Sequence, residues 1–290
     1  MDFRRIELKD KAIFEKYLSV TTDKLGWEYC FAMTWIWDAF DETMICDLGD
    51  MAIIYTKFYG KCVYFPPLLS DESLLEKALA LIEEHSRQNG YAMEVRGLSK
   101  AQAEILSDKY AVTTDRGNYD YIYSVQTLIN LSGKKLHSKR NFINRFKSTY
   151  SYTFREYSEE DRESMLALFD KWFVHSVHET LDLERKVIVR ALDYYKELGL
   201  KIGVLEVEGN LAAYSISAVE NDNVAHAMFE KADTVYDGIY QMINQQTCEK
   251  LLSGCKYVNR QEDMNIEGLR QAKSSYYPEI LLEKYTVKCK

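Results

Sequence analysis

Charged and amide side chains that could do chemistry are concentrated in one segment near the end of the sequence. Residues 259–263, Asn-Arg-Gln-Glu-Asp, follow an apolar strand-like run, and ligands of open α/β folds bind at the carboxyl ends of strands. Alternation along a strand puts Arg260 and Glu262 on one face. A helix predicted over 266–274 then adds polar groups on it or just past it: Arg270, Lys273 and Tyr276.

This arrangement of charges has a functional and a structural interpretation. A cationic face beside two carboxylates can bind a charged amino acid or orient an amine. An internal network of salt bridges accounts for the same residues about equally well, since ion-pair networks also perturb pKa values. Asp263 has a structural role open to it as the N-cap of the following helix.

A second polar cluster lies on a cationic helix predicted over 137–149. Residues 121–155 contain no Asp or Glu, and they hold seven of the chain's cations. Five polar side chains of this helix fall within two turns: Lys139, Arg140, Asn141, Asn144 and Arg145. Arginine forks match phosphate oxygens, so the helix predicts a phosphate-bearing ligand such as a tRNA acceptor end or a coenzyme. A solvated helix face is the competing interpretation of such a charge run.

The helices and strands that must position these groups follow from the apolar periodicity. In the second half of the chain, helices are predicted over 183–198, 239–252 and 266–274, and strands over 201–207, 211–219, 224–230, 256–260 and 280–287. In the first half, the predicted helices cover 10–18, 27–40, 72–86 and 99–108, and the strands cover 43–48, 51–58, 61–65, 91–95 and 119–125.

The two halves repeat a similar order of elements, although no sequence repeat relates them. We therefore predict an α/β (α+β) protein made of two tandem domains, each with a mixed central sheet flanked by helices. The predicted domains are residues 1–130 and 131–290, joined through the basic helix 137–149.

Two segments resemble a known family. They are residues 131–146, LSGKKLHSKRNFINRF, and 258–278, VNRQEDMNIEGLRQAKSSYYP. Together they resemble the family named after the C-terminal domain of lysylphosphatidylglycerol synthase, and the resemblance extends over roughly residues 20–290. It implies two tandem acyltransferase folds of the N-acetyltransferase (GNAT) type, an arrangement shared with peptidoglycan-bridge aminoacyltransferases. In the namesake enzymes this domain moves an aminoacyl group from aminoacyl-tRNA onto phosphatidylglycerol. Because both motifs lie after residue 130, we expect the first domain to be scaffold.

The turn at residues 229–240 helps to distinguish an acyl-CoA donor from an aminoacyl-tRNA donor. An N-acetyltransferase holds the coenzyme A pyrophosphate on backbone N–H groups where such a turn enters a helix, with the pattern Q/R-x-x-G-x-G/A. This chain has Asp233 and Asp237 there, and a single glycine, Gly238. Anionic side chains oppose a pyrophosphate, so the turn favours an aminoacyl-tRNA-type donor over acyl-CoA.

The leading hypothesis is therefore an acyltransferase of the aminoacyltransferase type, acting on an amine or hydroxyl acceptor. The acceptor, a small molecule or a lipid, would attack the donor ester, and a backbone N–H at a splayed strand pair would stabilise the oxyanion. Glu230, Glu262 or Asp263 could accept the proton of the nucleophile. The alternatives are a coenzyme A-dependent N-acyltransferase of a small amine and a non-catalytic module that binds tRNA or a phosphorylated ligand. No tightly bound cofactor is expected.

Composition excludes several other classes. A net charge of −8 argues against a general nucleic-acid coat, and no apolar run approaches the about 20 residues that span a bilayer. A charged N-terminus and six scattered cysteines predict a cytoplasmic protein with reduced thiols. His175, His178 and Glu179 share a helical face without further ligand spacing, so we expect no metal site.

Overall fold

The computed structural model describes residues 1–21, 24–58, 60–174, 181–220 and 223–290. Its helices are α1 (Lys11–Leu18), α2 (Phe31–Trp37), α3 (Leu75–Asn89), α4 (Lys100–Leu106), α5 (Val125–Asn130), α6 (His137–Thr149), α7 (Arg162–Val174), α8 (Leu181–Asp193), α9 (Tyr195–Leu198), α10 (Ile239–Lys250) and α11 (Glu267–Ser274). Its strands in the first part of the chain are β1 (Arg4–Arg5), β2 (Glu42–Asp47), β3 (Met51–Phe58), β4 (Lys61–Tyr64), β5 (Leu68–Leu69), β6 (Glu94–Leu98), β7 (Ala111–Thr114) and β8 (Asp120–Ser124). The later strands are β9 (Tyr152–Glu156), β10 (Lys201–Val207), β11 (Asn210–Val219), β12 (Val224–Ala232), β13 (Tyr257–Asn259), β14 (Ile280–Leu282) and β15 (Tyr285–Lys288).

The chain forms two compact units. The first unit comprises Met1–Asp120, Glu262–Leu269 and Leu281–Lys290, and the second comprises Tyr121–Gln261 and Arg270–Ile280. The predicted division at residue 130 instead left both C-terminal segments in the second domain. Residues 281–290 belong to the first unit because β15 pairs with β6 and with β7.

The sheet of the first unit has the strand order β1-β2-β3-β4-β6-β15-β7, with β5 beside β3. Its one described parallel pair is β4 with β6, in which Tyr64 lies opposite Val95. The helix α3 connects these two strands, and its buried residues Leu75, Leu79 and Ile82 pack into the same core as Tyr64 and Val95. Gly90 ends α3 in the left-handed conformation, with φ 70°, which glycine adopts without steric cost.

The sheet of the second unit has the order β14-β8-β13-β12-β11-β10-β9. Its described parallel pair is β12 with β13, aligned from Val224↔Tyr257 to His226↔Asn259, and the helix α10 connects them. The core between the sheet and its helices includes Ile143 and Phe146 from the apolar side of α6. Each sheet therefore contains a strand–helix–strand unit with a parallel pair among antiparallel strands, and the predicted class of two mixed sheets flanked by helices is confirmed.

Four predicted elements differ in the structure. The helix predicted over 183–198 is two helices, α8 and α9, because the backbone at Tyr194 (φ −124°, ψ 21°) is not helical. The helix predicted over 27–40 is wrong as a single element, because the backbone at Cys30 is extended (φ −88°, ψ 108°) and separates a 3-10 turn from α2. The strand predicted over 280–287 is two short strands, β14 and β15, that belong to different sheets. The strand predicted over 91–95 begins three residues later, at Glu94.

Candidate functional site

The parallel strands β12 and β13 of the second unit separate after three paired residues. In the neighbouring strand β11, Ser217 pairs with Ala227 of β12 and Ile216 pairs with Phe229. Met228 of β12 is therefore an extra residue that forms a β-bulge. A bulge of this kind interrupts the ladder and bends the strand. Beyond β13 the chain takes up a left-handed conformation at Gln261 (φ 60°), and the side-chain Nε2 of Gln261 donates to the Ala227 carbonyl at 2.9 Å. The two strands therefore separate where the polar segment begins. This split lies at the carboxyl end of β13, and ligands of open α/β folds bind at the carboxyl ends of strands.

An ion pair lies at this split. The Arg260 Nη2 atom is 2.5 Å from Glu230 Oε2, and only 16% and 14% of these two side chains are exposed. The guanidinium carbon of Arg260 lies 5.4 Å from the ring centroid of Tyr276 and 6.0 Å from that of Tyr123. Burial alone would lower the pKa of Arg260, but the charge of Glu230, the hydrogen bond to it and the two neighbouring tyrosines together outweigh burial and hold that pKa above its usual value. Arg260 is therefore a permanent cation with two aromatic rings beside it.

A second cation contacts the same tyrosine. Lys139 of α6 places its Nζ atom 4.4 Å from the ring centroid of Tyr276. Burial lowers the pKa of Lys139, and the nearby charge of Arg260 lowers it further. Lys273 donates to the carbonyls of Arg260 and Gln261, at 2.7 and 3.2 Å, and so fixes the backbone just beyond β13. The structure brings together five of the predicted residues: Lys139, Glu230, Arg260, Lys273 and Tyr276.

The other polar groups of α6 are used differently. The guanidinium of Arg140 donates to the carbonyls of Leu131 and Gly133, and so holds the turn that precedes the helix. Arg145 pairs with Asp237. Asn141 contacts the His137 ring at 3.1 Å, and Asn144 is exposed. The two arginines thus make contacts within the protein, which leaves Lys139 as the cation of this helix that lies at the split.

The turn between β12 and α10 resembles an anion site already occupied by a side chain. Asp233 accepts the backbone N–H of Val235 at 3.2 Å and pairs with Lys171 at 2.5 Å. Gly238 has φ 87°, and a Cβ atom there would lie 2.8 Å from the carbonyl oxygen of Phe142, so α6 approaches the start of α10 closely. A pyrophosphate at this turn would meet a carboxylate and a helix backbone, which argues against coenzyme A bound in the usual way.

The remaining predicted carboxylates, Glu262 and Asp263, lie in the first unit. Asp263 is fully buried; it pairs with Arg116 at 3.2 Å and accepts the backbone N–H of Asn265 at 2.9 Å. These contacts give Asp263 a structural role in the turn before α11, but Asp263 is not the N-cap of that helix, which begins at Glu267. Arg270 lies partly buried on α11.

Glu262 belongs to a buried charge cluster that sequence reasoning missed. The Lys284 Nζ atom lies 2.8 Å from Glu28, 2.9 Å from Asp120 and 3.8 Å from Glu262. Burial raises the pKa of Glu28 to about 7, although Lys284 opposes the shift; the other two carboxylates add to it. A Cβ atom on Gly97, which has φ 83°, would lie 2.6 Å from the Glu28 side chain. In the sequence, this cluster was indicated only by Glu28, a glutamate within the aromatic segment 27–40.

The other candidates are histidine and cysteine side chains. Residues 175–180, which include His175, His178 and Glu179, lie outside the described part of the chain. Among the described residues, no group of three or more His, Cys, Asp and Glu side chains is arranged to hold a metal ion. All six cysteines are free thiols, and five of them are buried. No helix within the described ranges is long and apolar enough to cross a membrane.

Several known proteins are similar to this chain in sequence or in fold. A crystal structure of a conserved protein of unknown function from Bacteroides thetaiotaomicron is 29% identical, covers 100% of both chains and has a TM-score of 0.92. The structure of L-PGS from Bacillus licheniformis is 16% identical over 96% of this chain and 91% of that one, with a TM-score of 0.62, which shows a shared fold. An uncharacterised protein of Mycoplasmoides gallisepticum is 25% identical over 206 residues, 69% of this chain; the match spans 66% of that protein's length.

A tandem GNAT protein from the clavulanic acid biosynthesis pathway, 10% identical over 99% of this chain and 98% of that one, has a TM-score of 0.55, and this confirms the predicted tandem GNAT-like fold. The family model described as phosphatidylglycerol lysyltransferase, C-terminal, matches residues 21–288. Because that match includes nearly every residue of both units, the chain belongs to the family of phosphatidylglycerol lysyltransferase C-terminal domains.

Proposed function

We propose that the second unit transfers an aminoacyl group from aminoacyl-tRNA to an amine or hydroxyl acceptor. The observation that carries this proposal is the buried Arg260–Glu230 pair at the split of β12 and β13, with Lys139 beside it across Tyr276. Two cations with one carboxylate leave the site with a net positive charge. Such a site suits a donor that carries phosphates and develops negative charge on its ester oxygen.

The reaction needs few protein groups. The acceptor nitrogen or oxygen forms a bond to the ester carbonyl carbon, and the bond from that carbon to the ribose oxygen breaks. The leaving ribose oxygen takes up a proton, and the nucleophile gives one up. The carbonyl oxygen becomes negative in between, and we propose that a backbone N–H near the bulge at Met228 of β12 stabilises it.

Among the three predicted carboxylates, Glu230 is the one that we propose to act at this site. Its carboxylate is engaged by the Arg260 guanidinium at 2.5 Å, which fixes the position of both side chains. We therefore assign Glu230 the role of a positioning residue that holds the guanidinium, and Arg260 the role of binding the donor. Lys139, whose pKa is lowered by burial, is proposed to contact a donor phosphate.

The test is a transfer assay with the whole protein and charged tRNAs, using phosphatidylglycerol vesicles and small amines as acceptors. Arg260→Lys keeps the charge but loses the planar fork, and we expect it to reduce kcat/KM at least about tenfold, which corresponds to about 1.4 kcal/mol. Arg185→Lys is the matched control, since Arg185 pairs with Asp170 on the surface of the same unit with 41% of its side chain exposed. Turnover with an acyl-CoA but with no charged tRNA would refute the proposal.

A further inference from the structure

Tyr277 has an unusual backbone for its residue type. It follows α11, its N–H donates to the Ser274 carbonyl at 2.9 Å, and its φ is 53°. It lies three residues beyond the end of α11, in a turn where this left-handed conformation is usual for glycine or asparagine. Of the six described non-glycine residues with positive φ, Tyr277 is the one aromatic. Backbone strain of this kind is concentrated at ligand-binding positions.

The Tyr277 side chain is also exposed. Its exposed fraction is 49%, whereas the neighbouring Tyr276 is 6% exposed. The Lys135 Nζ atom lies 5.1 Å from the ring centroid of Tyr277. One turn along the chain, Lys139 makes the corresponding contact with Tyr276. Two lysines four residues apart thus lie over two consecutive tyrosine rings, and the outer ring remains half open to solvent.

We infer that Tyr277 is a stacking platform for an unpaired base near the 3′ end of the donor RNA, with Lys135 placed to neutralise an adjacent phosphate. The inference rests on the proposed function, which supplies an RNA donor. Unstacked bases are bound in proteins by aromatic rings, with cations along the backbone. The pair Tyr277–Lys135 offers both groups, and it continues outward from the Lys139–Tyr276 contact at the strand split.

The strained backbone supports a binding role over a structural one. If Tyr277 served only to turn the chain after α11, glycine would do so without strain. The Tyr277 side chain leaves 49% of its surface exposed, so only part of it contributes burial that offsets the strain. We therefore expect the Tyr277 ring to contribute to ligand binding and not to the stability of the fold.

Binding of a fluorescently labelled RNA hexanucleotide ending in CCA tests the inference. Stacking on one aromatic ring is worth about 1–3 kcal/mol, so Tyr277→Ala should weaken binding about 5- to 150-fold, whereas Tyr277→Trp should retain it. Lys135→Ala should reduce the magnitude of the slope of log K against log salt concentration by about 0.7, because one phosphate contact is lost. Tyr194→Ala is the matched control, because Tyr194 is another exposed tyrosine of the same unit, at 37%, and it should bind as the wild type does.

Tyr277→Gly separates folding from binding. It should unfold at no lower temperature than the wild type, since it removes the strain, and yet it should lose RNA affinity to the same extent as Tyr277→Ala. Unchanged RNA affinity in Tyr277→Ala, or an equal loss in Tyr194→Ala, would overturn the inference. So would a Tyr277→Ala protein that binds the hexanucleotide normally but loses binding to phosphatidylglycerol vesicles, because the ring would then serve a membrane surface.

The outcomes distinguish this inference from the proposed function. Hexanucleotide binding that depends on Tyr277, without transfer from any charged tRNA, would support the platform and refute the transferase proposal. Transfer from charged tRNA with a Tyr277→Ala protein of normal RNA affinity would do the reverse.

Discussion

Replacing Lys284 by methionine should destabilise the first unit strongly and in a pH-dependent way. The Lys284 side chain is 6% exposed, and its Nζ atom is within 3 Å of two carboxylates, Glu28 and Asp120, that are 4% and 0% exposed. Methionine has a similar shape but no charge, so both carboxylates would be left in the interior without their cation. Breaking a buried pair in this way costs about 3–5 kcal/mol.

The sign of the pH dependence follows from Glu28. Its pKa in the folded protein is about 7, above the value of 4.5 for an unperturbed carboxyl, so the folded state binds more protons than the unfolded state between these values. The contribution of Glu28 to stability therefore falls as pH rises through this range. Without Lys284, which opposes that shift, the fall should be steeper, and the loss in Lys284→Met should be larger at pH 8 than at pH 5.

The assay is urea unfolding followed by tryptophan fluorescence at pH 5 and pH 8, since the Trp27 ring lies 5.3 Å from Lys284. Lys57→Met is the control: Lys57 pairs with Glu42 at 3.2 Å, and 33% and 48% of these side chains are exposed. Such a surface pair contributes at most about 1 kcal/mol. An unchanged midpoint for Lys284→Met at pH 8, or a larger loss at pH 5 than at pH 8, would refute the reasoning.

Two further predictions concern the same cluster. Glu28→Gln removes the carboxyl with the raised pKa but keeps an acceptor for Lys284, so the variant should match the wild type at pH 5 and exceed its stability at pH 8, as measured by the same unfolding curves; equal stability at pH 8 would contradict the shift. Gly97→Ala should destabilise the protein by about 1–3 kcal/mol, because its Cβ would lie 2.6 Å from Glu28 and its φ is 83°; Gly254→Ala, where nothing lies within 4 Å, is the control, and equal losses would contradict the steric argument.

Local sequence patterns predicted the helices and strands whose conformation depends mainly on neighbouring residues. The helices α3, α6 and α10 and the strands β10 to β12 follow from apolar periodicity and from turns such as Gly90. The segment 27–40 differs because a single extended residue, Cys30, interrupts a continuous aromatic run. The segment 280–287 differs because its two strands find partners in different sheets, and pairing between residues far apart in sequence leaves no local signal.

The same distinction applies to the polar groups. The residue types and spacing around 259–276 predicted a concentration of charge at the end of β13, and the Arg260–Glu230 pair lies there. The cluster of Glu28, Asp120 and Lys284 joins residues as many as 256 positions apart, which no spacing rule connects. Arg140 was predicted to bind phosphate from its guanidinium fork and its place on the basic helix, whereas its guanidinium donates to backbone carbonyls of the preceding turn.

The position of β15 constrains how the protein is made. This strand lies between β6 and β7, and β7 has no other described neighbour in its sheet. A ribosome delivers the chain from its N-terminus, so β7 emerges about 170 residues before the strand that pairs with it. While the second unit is being synthesised, β7 of the nascent first unit therefore lacks its partner strand. The pairing can form only after residues 285–288 have emerged.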